Sequence, residues 1–293
     1  MGKGKTNPKE YFLAGGAAGI ISRTCIAPIE RVKILYQVQS GASIGPAWYQ
    51  LPGRILREEG VQAFWKGNTA AVVRVMPYMS FTFLSFEEYK ARIAALGAPS
   101  HLCNLAAGSC AGITAVGLTY PLDLVRATMA KPGSKYDSLV GALMTISRER
   151  GVLALYSGMT ATMMGVAPYA GLKFMTYESF KEALSTIGGI SESDLSATQR
   201  VAAGAVAGLV AQTFVYPFDV VRRRMQTYDG PGKLYKSALD GLRTIAREEG
   251  VTRGLYRGLS LNYLKTMPNV AIYMSLYDIF KKQLVGSPIV KVS

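Results

Sequence analysis

The stretch that decides the fold is Pro28-Ile29-Glu30-Arg31-Val32-Lys33, a proline, any residue, an acid, two residues and a base. The same form returns in Pro121-Leu122-Asp123-Leu124-Val125-Arg126 and in Pro217-Phe218-Asp219-Val220-Val221-Arg222. The three prolines lie 93 and 96 residues apart. A pattern that recurs at a nearly fixed period indicates tandem structural repeats.

Three further landmarks recur in register with this segment. A GxxxG glycine pair precedes each proline, at Gly15/Gly19, Gly108/Gly112 and Gly204/Gly208. An aromatic residue, any residue and a glycine follow, at Trp65/Gly67, Tyr156/Gly158 and Tyr256/Gly258. A second acid–base pair comes last, at Glu87/Lys90, Glu178/Lys181 and Asp278/Lys281. Four landmarks in one order predict three repeats, over residues 1–97, 98–193 and 194–293.

The composition narrows the class of protein. The 293 residues carry 33 Lys and Arg against 19 Asp and Glu, a formal net charge of +14. Only 18% of residues are charged, below the ~25% usual in soluble domains. Three cysteines exclude a disulfide scaffold, and a single histidine leaves no His-based metal cluster or Ser-His-Asp triad. The composition indicates a membrane protein that handles anions; we expect no enzyme activity, no cofactor and no metal.

Each repeat holds two apolar segments that are long enough to be membrane helices. Leu102 to Leu122 is uncharged over 21 positions, enough for a helix to cross ~30 Å of hydrocarbon. Between the two segments lies a polar stretch, such as residues 242–250, which predicts a short amphipathic surface helix ended by glycine. The sequence predicts an all-α membrane protein with six transmembrane helices, roughly Tyr11–Gln39, Gly67–Ala95, Leu102–Ala130, Ala161–Ser185, Gln199–Thr227 and Leu259–Leu284.

The repeated charges predict two rings of ion pairs. A proline inside a membrane helix kinks it, which we expect at Pro28, Pro121 and Pro217. Acid and base three residues apart share a helix face, and charges in a membrane face the protein interior or water. The first ring is Glu30, Lys33, Asp123, Arg126, Asp219 and Arg222; the second is Glu87, Lys90, Glu178, Lys181, Asp278 and Lys281. The two segments of a repeat run in opposite directions, so the rings are interpreted as gates at opposite ends of one cavity. The alternative is a set of solvated pairs within single helices.

The threefold signature resembles that of the mitochondrial carrier family of solute transporters, over about residues 10–285. The resemblance implies a threefold pseudo-symmetric bundle, a monomer, and alternating access at the inner mitochondrial membrane. It places the first ring toward the matrix, and the second ring and both termini toward the intermembrane space, which is the cytoplasmic side.

The resemblance also assigns braces and lipid sites. Gln37 and Gln226 match the glutamine brace of the matrix gate, whereas Ala130 stands at that position in the second repeat. Tyr177 and Tyr277 match the tyrosine brace of the cytoplasmic gate, and Phe86 lacks the hydroxyl. The glycines at helix starts match cardiolipin sites: Gly67, Gly158 and Gly258.

Cations inside the apolar segments indicate the solute. Arg23, Arg74, Lys173 and Lys265 have no acid beside them in the sequence between the gates. We expect them to bind a polyanion, for which arginine offers a forked phosphate contact; the alternative is snorkelling to the interface. The resemblance places substrate contact points at Arg74-Val75, Gly165-Val166 and Lys265-Thr266. A glycine followed by an aliphatic residue at the second point is typical of nucleotide carriers, in which adenine lies against an uncharged wall.

Within the nucleotide carriers, the runs 74–78, 165–172 and 253–260 resemble the coenzyme A branch. The implied activity is exchange of coenzyme A or a precursor against an adenine nucleotide, with no nucleic-acid partner. The run Arg222-Arg223-Arg224-Met225-Gln226-Thr227 departs from the pattern of ADP/ATP carriers. No calcium-binding loop of the kind found in ATP-Mg/phosphate carriers precedes Tyr11. Both exchangers remain alternatives, as does a non-exchanging anion or proton leak.

Overall fold

The protein is helical throughout the part that the structure describes. A computed structural model describes residues 8–39, 46–97, 99–131, 133–188, 191, 194–230 and 232–285, and no strand occurs among them. The long helices are α1 (Pro8–Val38), α3 (Asn68–Ala95), α4 (Ser100–Ala130), α6 (Met159–Gly188), α7 (Ala197–Thr227) and α9 (Leu259–Val285). The short helices are α2 (Leu51–Glu58), α5 (Leu139–Arg150) and α8 (Ala238–Glu248). Each repeat therefore reads long, short, long, which confirms the all-α prediction.

The long helices agree with the predicted bounds to within a few residues. Pro28, Pro121 and Pro217 lie inside α1, α4 and α7 as expected. Among the described residues, four segments are long and apolar enough to cross a membrane: Glu10–Val38, Val61–Ala95, Leu102–Ala130 and Gln199–Thr227. Helices α6 and α9 are long enough but less apolar, since their sequences combine charged residues with many small or weakly polar ones.

A second set of helix prolines was missed by the sequence analysis. Pro77, Pro168 and Pro268 lie inside α3, α6 and α9, each ten residues before the acid of the second ring. Proline removes one backbone hydrogen bond and bends a helix. All six long helices of the described chain therefore contain a proline, and the threefold spacing was the signal for it.

The chain divides into two compact units that do not follow the repeat boundaries. The first unit contains residues up to 80, 118–156 and from 260 onward; the second contains 81–117 and 157–259. A cluster in the first unit packs α1, α2 and α9 through Val32, Leu35, Leu51, Ile55, Ala63 and Leu261. A cluster in the second unit packs α6, α7 and α8 through Ala161, Tyr216, Val220, Val221, Tyr235, Ala238, Ile245 and Leu255.

The short helices end at a glycine, as the sequence predicts, and α5 begins at a serine cap. The hydroxyl of Ser138 accepts a hydrogen bond from the Gly141 amide at 3.1 Å and caps α5. Each short helix is followed by a glycine with a left-handed backbone: Gly60 (φ +81°), Gly151 (φ +82°) and Gly250 (φ +83°). Glycine adopts this conformation without the steric cost that a side chain incurs.

Gly67 is required for a close helix contact as well as for its backbone angle. Its φ is +83°, and a Cβ at this position would lie 2.6 Å from the backbone oxygen of Arg126 in α4. We expect Gly67→Ala to lower the thermal unfolding temperature of the purified protein in detergent. The matched control is Gly60→Ala, whose φ is +81° but whose added Cβ has no atom within 4 Å. Both variants incur about 1 kcal/mol of left-handed strain, so equal shifts would show that the close contact with α4 contributes nothing.

Candidate substrate site and gates

Glu30 of α1 joins charged residues from all three repeats in the first unit. Its carboxylate accepts a hydrogen bond from Lys265 Nζ of α9 at 2.9 Å. It also forms an ion pair with Arg126 Nη2 of α4 at 3.3 Å. Glu30 and Arg126 are thus an ion pair between neighbouring repeats, of the kind proposed for the first ring.

Asp123 of α4 forms the second acidic centre of this unit. Arg74 Nη1 of α3 donates to Asp123 Oδ1 at 2.9 Å, and Arg74 Nε donates to Thr119 Oγ1 at 3.1 Å. The Arg74 guanidinium also lies 5.1 Å from the ring centroid of Tyr78, within the range of a cation–π contact. Because Asp123 is only 1% exposed, its charge depends on these protein partners.

Arg74 and Lys265, which have no acid beside them in the sequence between the gates, are paired with acids in the structure. Both bind the acids of the first ring, since helix packing joins residues that are 49 and 235 positions apart in the sequence. Neither Thr119 nor Tyr78 was identified from the sequence.

Arg23 differs from the other two cations. It makes no hydrogen bond or ion pair with any residue that the structure describes, although it lies within the electrostatic influence of Glu30, Arg74, Asp123 and Arg126. Arg23 therefore presents a partly buried guanidinium beside two acids that other cations already hold. We name Arg23, Glu30, Arg74, Asp123, Arg126 and Lys265 the charge cluster.

Two further residues of the matrix-gate set have polar contacts that the sequence did not reveal. Lys33 Nζ donates to Asn262 Oδ1 of α9 at 2.9 Å, and both side chains are buried. Gln226 accepts from Arg223 Nη1 of its own helix at 3.0 Å. Gln37 is fully buried. Asp219 and Arg222 lie on α7 in the second unit.

Arginine–glutamate links join the long helices to the short ones and were also missed. Arg31 of α1 binds Glu59 through Nη2 at 2.8 Å and donates to the Ala63 carbonyl. Partial burial works to raise the pKa of Glu59, but hydrogen bonds from Lys66 and Arg31 lower it overall. In the third repeat, Arg224 Nη2 binds Glu249 at 2.8 Å. The signal in the sequence was an acid directly before the glycine that follows the short helix, in Glu59-Gly60 and Glu249-Gly250.

The residues of the second ring are arranged differently. Glu178 pairs with Lys181 of its own helix at 2.7 Å, as in the alternative of intrahelical pairs. The ammonium groups lie over aromatic rings, Lys90 over Phe86, Lys181 over Tyr177 and Lys281 over Tyr11, at 5.6, 5.8 and 5.6 Å. Glu87 and Asp278 form no ion pair with any described residue. Their expected pairing is therefore absent from this structure.

The two tyrosines assigned as braces lie against small residues. A Cβ added at Gly15 of α1 would lie 4.0 Å from the Tyr277 ring, and one added at Gly204 of α7 would lie 4.0 Å from the Tyr177 ring. Tyr277 also stacks on Tyr273, with ring centroids 6.2 Å apart. The first glycine of the GxxxG pair thus leaves room for a neighbouring ring in these two cases.

The remaining predicted substrate residues have contacts within their own units. Gly165 of α6 faces α7, since its Cβ direction meets Phe218 and Val215 at 3.8 and 3.9 Å. Val166 faces Gly112 of α4. Lys173 is exposed, and Thr266 Oγ1 donates to the Asn262 carbonyl of its own helix at 2.6 Å. Side-chain direction depends on helix rotation, which sequence spacing alone does not give.

The glycines assigned to lipid binding lie directly before the second long helix of each repeat. Gly67, Gly158 and Gly258 have φ of +83°, +81° and +85°. The aromatic residue two positions earlier contacts the first long helix of its own repeat. Trp65 Nε1 donates to the Thr24 carbonyl at 3.0 Å, whereas the other two aromatics stack in the pairs Tyr120–Tyr156 and Tyr216–Tyr256.

Comparison with known proteins identifies the family of the chain. The family described as mitochondrial carrier protein matches the chain three times, over residues 4–95, 98–188 and 193–288. A mitochondrial coenzyme A transporter of Xenopus tropicalis, SLC25A42, is 41% identical over 288 residues, 95% of this chain and 88% of the frog protein. Its namesake in Rattus norvegicus is 43% identical over 92% of this chain and 86% of the rat protein. The mitochondrial carrier protein CoAc1 of Arabidopsis thaliana is 38% identical over 92% of this chain and 88% of the plant protein. The chain belongs to the mitochondrial carrier family and is a transporter.

Proposed function

We propose that this carrier exchanges coenzyme A, or a precursor of it, for an adenine nucleotide across the inner mitochondrial membrane. The observation that carries the proposal is the charge cluster, in which Arg23, Arg74 and Lys265 lie beside the acids of the first ring. Coenzyme A contains a diphosphate and a 3′-phosphate, so it needs several cations close together. The names of the relatives support coenzyme A as the solute.

The contacts of the cluster suggest how the solute acts on the matrix gate. Arg23 has no ion pair in the described structure and receives the first phosphate. Further phosphate oxygens then compete with Asp123 for Arg74 and with Glu30 for Lys265, because all four interactions are charge-assisted. Loss of either cation leaves a partly or fully buried carboxylate without one of its counter-charges, which is costly. Solute binding therefore weakens the ring and favours opening to the matrix.

The two rings serve as alternating gates in this proposal. The first set is Glu30, Lys33, Asp123, Arg126, Asp219 and Arg222, with Gln37 and Gln226 as braces. The second set is Glu87, Lys90, Glu178, Lys181, Asp278 and Lys281, with Tyr177 and Tyr277 as braces. The Glu30–Arg126 pair, together with the lack of an ion pair for Glu87 and Asp278 among the described residues, supports a state in which the matrix gate is the more complete.

Other parts of the proposal rest on the family and on local geometry. The family resemblance is the basis for assigning Gly165 and Val166 to a wall for adenine, and Lys173 and Thr266 to polar substrate contacts. The amides that follow Gly67, Gly158 and Gly258 suit lipid phosphates at helix starts, with cardiolipin as the lipid. We further propose a monomer with both termini in the intermembrane space.

The test is uptake into proteoliposomes that contain the purified carrier. Vesicles are loaded with ADP and offered labelled coenzyme A, dephospho-coenzyme A, ATP-Mg or phosphate in turn. We expect coenzyme A uptake to require internal adenine nucleotide. Equal uptake into empty vesicles would favour a leak over an exchanger, and transport of only ATP and ADP would favour the ADP/ATP alternative. Transport of a dicarboxylate or amino acid alone would overturn the proposed solute.

A further inference from the structure

Helices α1 and α9 are joined by two polar contacts, which we name the acid contact and the amide contact. In the acid contact, Lys265 Nζ of α9 donates to Glu30 Oε2 of α1 at 2.9 Å. In the amide contact, Lys33 Nζ of α1 donates to Asn262 Oδ1 of α9 at 2.9 Å. Each contact lies three residues from the other along both helices. Residues three apart share a helix face, so one face of α9 contacts both charged residues of the first repeat's ring motif.

The amide contact is buried. Lys33 is 3% exposed and Asn262 is 5% exposed, and Leu261 beside the amide belongs to the same apolar cluster as Val32 and Leu35. A buried ammonium needs hydrogen-bond acceptors in place of water. Asn262 provides an acceptor without a charge. It therefore fixes the position of Lys33 and leaves the positive charge of Lys33 to act on an acid of the ring.

Comparison of the repeats shows that the acid contact is shared and the amide contact is not. Arg74 binds Asp123 at the positions that correspond to Lys265 and Glu30. At the position of the amide, four residues after the glycine that precedes the second long helix, the three repeats have Ala71, Thr162 and Asn262. The ring bases in the same chain order are Lys33, Arg126 and Arg222.

The amide thus occurs in the sequence where a lysine replaces arginine, at the point where α9 meets α1. Arginine presents five donors in a planar fork, whereas lysine has a single ammonium on a flexible stem. A lysine in the ring is therefore less well oriented by its own structure. An additional acceptor on the neighbouring helix supplies the orientation that the arginine fork provides in the other repeats.

We propose that Asn262 is a positioning residue of the matrix gate, which holds Lys33 in place for the ring and releases it when the solute draws Lys265 away from Glu30. This inference rests on the proposed exchange and its gates. Asn262 and Lys265 lie on one helical turn, and the Thr266 hydroxyl binds the Asn262 carbonyl of that turn at 2.6 Å. A shift of this turn on solute binding therefore also moves the amide away from Lys33. Asn262 thereby links the solute to a ring residue that the solute does not touch.

Asn262→Ala tests this role through the coupling of exchange in proteoliposomes. Without the amide, Lys33 is held less firmly and the matrix gate closes less completely when no solute is bound. We expect uptake of labelled coenzyme A into vesicles without internal nucleotide to rise about tenfold, the change that loss of one hydrogen bond to a charged group produces. The KM for exchange should stay unchanged, because Asn262 does not contact the solute. The matched control is Ser260→Ala at an exposed position of α9, which should behave as the wild type.

Two further variants distinguish positioning from a structural role. Asn262→Asp keeps an acceptor at the same place but adds a charge, so release of Lys33 then breaks a buried ion pair. This variant should show no uptake into empty vesicles and a lower maximal exchange rate. The double variant Lys33→Arg with Asn262→Ala gives the first repeat the residues of the second, Arg126 and Ala71. It should return uptake into empty vesicles toward the wild-type level, as expected for two interacting positions.

Amide hydrogen exchange of residues 30–38 in detergent tests the contact without any solute. Exchange in this segment should be faster in Asn262→Ala than in the wild type, and slow again in the double variant. A wild type that does not move coenzyme A would contradict the proposed solute, whereas this pattern of hydrogen exchange would still support the role of Asn262. Unchanged hydrogen exchange in Asn262→Ala would overturn the inference. So would an Asn262→Ala carrier that exchanges coenzyme A without any added uptake into empty vesicles, or a double variant with the same uptake as Asn262→Ala.

Discussion

Glu30→Ala is expected to abolish exchange in proteoliposomes while the protein still inserts into the membrane. The carboxylate of Glu30 holds Lys265 at 2.9 Å and Arg126 at 3.3 Å. Its removal leaves two cations facing each other, with Arg23 close by, and breaking a buried ion pair costs about 3–5 kcal/mol. The measurement is the initial rate of coenzyme A uptake, normalised to the amount of reconstituted carrier.

Glu88→Ala is the matched control for this variant. Glu88 also pairs with an arginine, Arg92 at 2.6 Å, but the two side chains are 60% and 75% exposed. An exposed pair one turn apart contributes only ~0.3–0.5 kcal/mol, so this variant should transport at the wild-type rate. Equal rates in Glu30→Ala and wild type would show that the first ring does not gate transport.

Charge reversal gives a sharper test of the same ring. Glu30→Arg with Arg126→Glu restores the inter-repeat pair in the opposite sense. The new arginine then faces Lys265, so we expect only partial recovery. Adding Lys265→Asn removes that repulsion and should improve gate closure, although it also removes a cation proposed to bind the solute. Recovery of rate in the double variant without recovery in either single variant would identify a pairwise interaction.

The fold was largely predictable because its signals are periodic. The prolines, glycine pairs and acid–base pairs recur three times, and each copy supports the same assignment of helices. The Glu30–Arg126 contact also follows from that register, since residues at one level of neighbouring helices meet. Even so, Pro77 and its two counterparts recur with equal regularity and were overlooked.

The site was less predictable because it depends on helix rotation and long-range packing. Nothing near Arg74 in the sequence indicates that Asp123 of another helix binds it. Lys33 likewise donates a hydrogen bond to Asn262. Asn262 is a neutral residue at a position where the first two repeats have Ala71 and Thr162. Gly165 was predicted to line a wall, and the structure shows that its Cβ direction meets α7. Repetition predicts what the repeats share, whereas specificity depends on the positions at which they differ.

Arg74→Ala is expected to weaken the binding of coenzyme A more than that of dephospho-coenzyme A, which lacks the 3′-phosphate. A hydrogen bond to a charged group contributes ~1.5–3 kcal/mol, so the KM for coenzyme A should rise by about tenfold to a hundredfold. The variant also leaves Asp123 without the guanidinium that now lies 2.9 Å away, which should reduce the maximal rate for every solute. Arg74→Lys separates the two effects, because lysine keeps the charge beside Asp123 but loses the forked phosphate contact. We therefore expect Arg74→Lys to retain much of the maximal rate and to raise the KM chiefly for coenzyme A. Equal KM changes for both solutes would show that Arg74 does not bind the 3′-phosphate, which would then have to be bound by Arg23 or Lys265.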